Sequence, residues 1–514
     1  MLSRIAGLLR EATIGVFLGT DVMADAFRIG FTLPNLMRRL VGEGAVTSAF
    51  VAVYSRHVRH DGDDDVDATG DGIVFAEKFL TLWVLLVASI VVLGVLGIGL
   101  GFHWLARLKN LGDLNEPANL ALTIEVSRIL FWYLFFIGTA AAAQGILNAR
   151  WKFGAPAFVS TLFNLVFVGS TFSLAPFFSP DKAVFALSFA ILAGGFVQLA
   201  ALIPALWRLG VRFRPRSPFN HSGITEVLRL MVPGILGAGV YQINVAVNIL
   251  IAIGIGTGAA SSLGYSNRFM EFVLGVFVVA LSTVSLTSLA RIAARKDAQE
   301  LATRSEEVLR LILFITIPST FGLYLLREPL ISFVLQWEGG AFDEDSLRMT
   351  AAAFQCHILG LAFVGLVRPL VATFHAQRDM LTPVIVSLVV VPLNIALAFL
   401  LSATTLAHAG IALASTLATV VHAGILLTVY RRRLPEFRLR ELLRSSLRIA
   451  LATSAMAIIC LVLLYFLPAP TSKLLLGLWI ALVVTVGAGS YFGLAAVTRM
   501  PEWATLWRSF RHTR

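Results

Sequence analysis

Apolar stretches of about twenty residues or more recur along this chain, separated by short segments that hold most of its charges, glycines and prolines. A stretch of that length crosses hydrocarbon about 30 Å thick as a helix, and only helices and closed barrels satisfy the backbone there. Marking them gives about fourteen predicted spans, near 3–19, 25–54, 78–105, 119–148, 155–178, 183–207, 224–254, 262–290, 309–335, 350–375, 381–402, 408–430, 445–467 and 473–497. Composition agrees. Of 514 residues, 57% are hydrophobic and 14% charged, with a mean hydropathy of +0.83, whereas soluble domains carry roughly 25% charged residues. The expected fold class is an all-α polytopic membrane protein.

The loop charges test the count. With the N-terminus inside, the loops after even-numbered spans should be basic. Those loops hold Arg208, Arg212, Arg214 and Arg216 after span six, and Arg431, Arg432, Arg433, Arg438, Arg440 and Arg444 after span twelve. The opposite loops hold only Arg107, Lys109, Lys182, Arg348 and Lys473. One miscounted span would scramble this pattern, so both termini are expected in the cytoplasm. The same rule absorbs the net charge of +11, which therefore does not point to nucleic acid. Cys356 and Cys460 sit in separate apolar spans without metal-ligand spacing, and no cleavable signal peptide is evident at the start. The acidic stretch "HDGDDDVDATGDG" (60–72) matches no EF-hand spacing and reads as a solvated loop.

A weak internal repeat is present. "LNARWKFGAP" (147–156) matches "FHAQRDMLTP" (374–383), with Ala149 and Ala376 each seven residues before Pro156 and Pro383. "FLGT" (17–20) matches "IGIGT" (253–257) at a similar offset. Two matches at similar offsets predict two pseudo-symmetric six-helix lobes, 1–216 and 217–433. Two further helices and a basic tail then occupy 434–514. In transporters built this way the binding site lies at the repeat interface, here a central cavity.

Ionisable groups stand where lipid should be. Span one carries Arg4, Arg10 and Glu11; span two opens with Asp25 and Arg28 and then reads "PNLMRRLVGEGAVTSAF" (34–50), with Arg38, Arg39 and Glu43. Span eight contains Arg268 and Glu271, span ten Arg368, and span four Glu125 and Arg128 near its outer end. Such groups face protein or water, not lipid. Arginine leads, with carboxylates a few residues away as partners. A planar, permanently charged guanidinium grips phosphate oxygens in two places, so an arginine-lined cavity suits a phosphorylated substrate. Arg39 also reads as a snorkelling interface residue, and Glu43 as a structural ion-pair partner. Pro34 should kink or break span two, with Asn35 satisfying the freed backbone.

The stretch 3–55, "SRIAGLLREATIGVFLGTDVMADAFRIGFTLPNLMRRLVGEGAVTSAFVAVYS", closely resembles the signature of the MurJ (MviN) family of the multidrug/oligosaccharidyl-lipid/polysaccharide exporter superfamily. That pattern runs S-R-x-x-G-x-x-R-D/E, then D-A-F, then P-N-L-x-R-R-x-x-x-E-G-A. "GILNARWKFGAPAF" (145–158), "RFMEF" (268–272) and "RDMLTP" (378–383) match further along. The resemblance implies a lipid II flippase. Its substrate would be the undecaprenyl-pyrophosphate-linked peptidoglycan precursor, moved from inner to outer leaflet of the bacterial cytoplasmic membrane. Spans thirteen and fourteen would form a groove for the lipid tail.

By the same resemblance, the substrate-binding residues fall on Arg4, Arg10, Asp25, Arg38 and Arg268, supported by Pro34, Asn35, Arg39, Glu43, Glu271 and Arg368. Family members that bind sodium use spans seven and eleven. Here span seven offers Asn244 and Asn248, and His375 and Asp379 near the start of span eleven are the candidate cation ligands. The chain departs from the pattern in having fewer residues before S-R, and Asn267 where Asp is common. No nucleoside-triphosphatase motif or nucleophile–base pair is seen, so no enzyme activity and no cofactor are expected. The energy would come from Na+, H+ or the membrane potential. Expected partners are membrane lipids and cell-wall synthesis or division proteins. The alternatives are export of another lipid-linked glycan or of drugs, or a non-transporting scaffold for cell-wall enzymes.

Overall fold

The computed structural model describes residues 2–41, 50–54 except 52, 70–108, 117–217, 221–275, 289–295 except 290 and 294, 297–377 and 379–511. Glu43 and the acidic stretch 60–69 lie outside them. Among the described residues the regular structure is helical throughout. The helices used below are α1 (Leu2–Leu18), α2 (Val22–Val41), α3 (Gly70–Leu108), α4 (Pro117–Phe131), α5 (Tyr133–Ala149), α6 (Gly154–Leu174), α7 (Ala183–Ala200), α8 (Ser222–Ile253) and α9 (Ala259–Val273). After them come α10 (Ala298–Leu325), α11 (Arg327–Leu335), α12 (Glu344–Ile358), α13 (Leu361–Ala376), α14 (Leu381–Ser402), α15 (His408–Arg433), α16 (Leu439–Phe466), α17 (Lys473–Val497) and α18 (Pro501–Arg511).

Among the described residues, nine helices are long and apolar enough to cross a membrane. A tenth span is the pair α12 and α13, bent by 46°. These ten match predicted spans three to six and nine to fourteen. The other four fall on α1, α2, α8 and α9, the first two helices of each predicted repeat, and three of these carry the intramembrane arginines. Of the arginine-bearing helices, α1 and α9 are short, at 17 and 15 residues, while α2 is long enough but carries Asp25, Arg28, Arg38 and Arg39.

The chain divides into two compact units, 1–261 and 262–514. The division falls within the first turn of α9, and α8 packs on α2 and α3. Residues 434–514 belong to the second unit: α16 packs along α10, and α17 along α16. In the first unit α2 lies against α4, α1 against α6, and α6 against α7. Phe50 and Phe79 stack at 4.3 Å in an aromatic column that continues to Trp83, whose indole N–H donates to the Gly138 carbonyl. In the second unit the Tyr491 hydroxyl donates to the Phe314 carbonyl, and the Tyr430 hydroxyl to Ser305 Oγ. Aromatic residues bury most of the apolar area while their polar tips still find partners.

The repeat is visible in detail. Ala149 and Ala376 are each the last residue of a helix, and Pro156 and Pro383 each the third residue of the next, where a missing N–H costs nothing. Between them Lys152 donates its N–H to the Leu147 carbonyl, and Asp379 its N–H to that of Phe374, both at 2.9 Å. A second correspondence was not legible beforehand. The buried carboxylate of Glu77 on α3 accepts the backbone N–H of Arg212, 135 residues later. Glu306 on α10, also buried, accepts the N–H of Arg438, 132 residues later. Each unit thus fastens the segment leaving its sixth span to the start of its third.

Candidate functional site

The charges of α1 and α2 meet inside the first unit. Arg10 is 9% exposed. Its Nη2 donates to Glu11 Oε1 at 3.1 Å and its Nη1 to Asn164 Oδ1 on α6 at 3.2 Å. Arg28 on α2 donates to the other Glu11 oxygen at 2.5 Å. The Arg10 guanidinium also lies 5.8 Å from the centre of the Phe163 ring, within cation–π range. One buried carboxylate therefore bridges two guanidiniums and ties α1 to α2, while Arg10 reaches on to α6 through Asn164. A guanidinium buried in a span needs a countercharge, and this one has it. Arg10, expected on the substrate, is found in this network. Arg28, Asn164 and Phe163 were not singled out as site residues. The one available signal was a lone amide in the apolar run "TLFNLVF".

Asp25 likewise turns out to hold structure. Its Oδ2 accepts the Gly258 N–H at 2.7 Å and its Oδ1 the Ser261 N–H at 2.8 Å. These amides open α9, so a carboxylate from α2 caps the positive end of that helix. Both oxygens of Asp25, a residue expected on the substrate, hold backbone donors in this structure. On α9 follow Arg268 and Glu271, ion-paired at 3.0 Å with side chains 37% and 32% exposed. Two residues before Arg268, Ser266 Oγ lies 2.6 Å from Nδ1 of the buried His357 on α12, a pair that sequence reading missed.

Arg38 is partly exposed, and its Nε and Nη2 both donate to Asn35 Oδ1, at 3.1 and 2.9 Å. The Asn35 amide oxygen thus holds Arg38. Pro34 is buried within α2, which continues unbroken to Val41, since loss of one N–H leaves the rest of the hydrogen-bond ladder in place. Arg4 and Arg39 are partly exposed and Arg368 is exposed.

His375 is exposed in the last turn of α13. Asp379 Oδ1 accepts the N–H groups of Leu381 and Thr382 at the start of α14, and Oδ2 takes Arg433 Nη1. The Thr382 hydrogen bonds, with Arg433 beside them, hold the Asp379 carboxyl down to about 2. Among the described residues no three His, Cys, Asp or Glu side chains gather to hold a metal ion. Asp379, expected with His375 to hold a cation, caps α14 and pairs with Arg433 in this structure.

The comparisons bear on the whole chain. Residues 14–484 match the family model described as lipid II flippase MurJ. A lipid II flippase MurJ of Burkholderia cenocepacia is 30% identical over 437 residues, covering 84% of this chain and 82% of that protein. A probable lipid II flippase MurJ of Treponema pallidum is 30% identical over 465 residues, 90% of this chain and 85% of the relative. Among solved structures, a lipid II flippase MurJ in an inward closed conformation superposes with a TM-score of 0.78 at 24% identity, covering 96% of both chains. An inward-facing multidrug resistance MATE transporter of the MOP superfamily follows at 0.67, with 16% identity over 85% of this chain and 95% of its own. The structural likenesses speak to the fold.

Proposed function

The chain belongs to the lipid II flippase MurJ family, and we propose that it moves the undecaprenyl-pyrophosphate-linked peptidoglycan precursor from the inner to the outer leaflet of the bacterial cytoplasmic membrane. The observation that carries this reading beyond family membership is the sign of the accessible charge on α1 and α2. The carboxylates described on α1 and α2, Glu11 and Asp25, are engaged inside the protein, whereas Arg4, Arg38 and Arg268 are each partly exposed. A pyrophosphate needs fixed, forked cations. Arg38, Arg268 and Arg4 are the groups we assign to it. Arg10 and Asp25 hold the helices that present these groups.

The chain works as a transporter and catalyses no covalent step. The headgroup is exposed first to the inner and then to the outer face of the membrane, the alternating access of transporters built from repeats. The membrane potential or an ion gradient supplies the energy. The basic loops favour cytoplasmic termini. Export of cationic drugs would need an accessible intramembrane carboxylate, which α1 and α2 do not offer among their described residues.

Depletion of the protein in cells, followed by measurement of which lipid-linked intermediate accumulates on the inner leaflet, tests the reading. Accumulation of the pyrophosphate-linked sugar-peptide supports it. Normal precursor export with altered drug susceptibility would overturn it.

A further inference from the structure

A groove of about 900 Å³ opens between α3 and α4 of the first unit. Its walls are Leu96, Leu100, Leu120 and Ile124, and three ionisable side chains line it: His103, Glu125 and Arg128. Leu96 and Leu100 are among the most exposed leucines of α3, as lipid-facing residues of a span should be. Trp104, also exposed on α3, is of the residue type that marks the membrane–water boundary. Gly99 lies five residues before it, about 7–8 Å along the helix, at the depth where headgroups meet acyl chains.

At that level Arg128 is fitted to the protein. A Cβ built at Gly99 would stand 2.6 Å from Arg128 Nη2, so the guanidinium occupies a notch that exists because residue 99 has no side chain. Glu125 lies one helical turn from Arg128, close enough for the two to pair. Both are exposed, and among the described residues neither has a hydrogen-bond or ion-pair partner. A cation and an anion left open toward lipid are costly unless something outside the chain satisfies them.

The ligand that fits carries both signs a few ångströms apart, together with acyl chains. We propose that this groove binds a zwitterionic phospholipid with a primary amine headgroup. Its phosphate sits on the Arg128 fork, its ammonium donates to Glu125, and its chains lie along Leu96 and Leu100. An anionic phospholipid would satisfy Arg128 but meet Glu125 with like charge. A choline headgroup has no N–H to donate. The inference does not rest on the flippase reading, since it concerns a lipid held in place and not one that is moved.

The test is lipid retention by the purified, delipidated full-length protein, re-exposed separately to phosphatidylethanolamine, phosphatidylglycerol and phosphatidylcholine in mixed micelles and read by native mass spectrometry. The wild type should retain phosphatidylethanolamine about tenfold better than either competitor, the size of one charge-assisted contact. Glu125→Gln should erase that preference while leaving weaker, unselective retention. Arg128→Gln and Gly99→Leu should lose retention of all three. Glu125→Gln alters an exposed side chain without a partner and should melt as the wild type does, so it decides the matter even if Gly99→Leu fails to fold. Equal retention of the three lipids by the wild type, preference for phosphatidylglycerol, or a preference unchanged in Glu125→Gln would each overturn the proposal.

Discussion

The carboxylate of Asp25 on α2 accepts the backbone N–H of Ser261 at 2.8 Å, and so fixes the first turn of the helix that carries Arg268. The Gly258 N–H shares the same carboxylate. Asp25→Ala leaves two inward-facing amides without an acceptor and should cost about 1–3 kcal/mol of stability. Asp25→Asn, which keeps one carbonyl oxygen, should cost less. Thermal unfolding of the purified variants measures this. Were Asp25 a substrate ligand instead, Asp25→Asn would weaken precursor binding with no change in melting.

Glu11 stands between Arg10 and Arg28. Replacing it with glutamine leaves two buried guanidiniums facing each other and should destabilise by about 3–5 kcal/mol. The double variant Glu11→Gln with Arg10→Gln should recover part of that loss, because one of the stranded charges goes with its partner. A double-mutant cycle on unfolding midpoints reads the coupling, and additive losses would contradict the network.

Arg38 is held by Asn35 through two of its nitrogens. Arg38→Lys keeps the charge but loses the fork, so precursor export should fall in both Arg38→Lys and Arg38→Ala, with the alanine variant the lower. Asn35→Ala should weaken export without removing the cation. Export at the wild-type level from Arg38→Ala, at equal protein abundance, would remove Arg38 from the mechanism.

Asp379 gives a pH prediction. Its pKa is lowered from 3.8 to about 2 by the Thr382 hydrogen bonds and Arg433. A depressed carboxylate pKa means that its contribution is complete above about pH 4 and is lost as pH falls toward about 2. The amides of Leu381 and Thr382 should therefore keep their hydrogen-exchange protection at pH 5 and lose it between about pH 4 and 2, after correction for intrinsic exchange. Asp379→Asn should show reduced protection at every pH.

The fold was largely legible because two of its signals are local. Span length and loop charge are read without knowing any contact, and the turn at 149–156 recurs at 376–383 with proline at the same helical position. The site was legible in its residues but not in its roles. Nothing near Arg10 in sequence announces Asn164, 154 residues away, and Asp25 binds backbone amides more than 230 residues on, groups that every residue except proline carries. Asn35 was read as serving the backbone freed by Pro34, and the charge-assisted hold of its amide oxygen on Arg38, one turn ahead, was not foreseen. Asp379 was read as a cation ligand because Arg433 lies 54 residues further on.

The two buried glutamates, Glu77 and Glu306, set an order of events during synthesis. The backbone amide that each one binds leaves the ribosome 135 or 132 residues after it, when three more spans have been made. Until then the carboxylate lacks that backbone donor, and water at the membrane surface stands in for it. Each half of the chain can seal only when its own last helix has been threaded, and it does so without waiting for the other half.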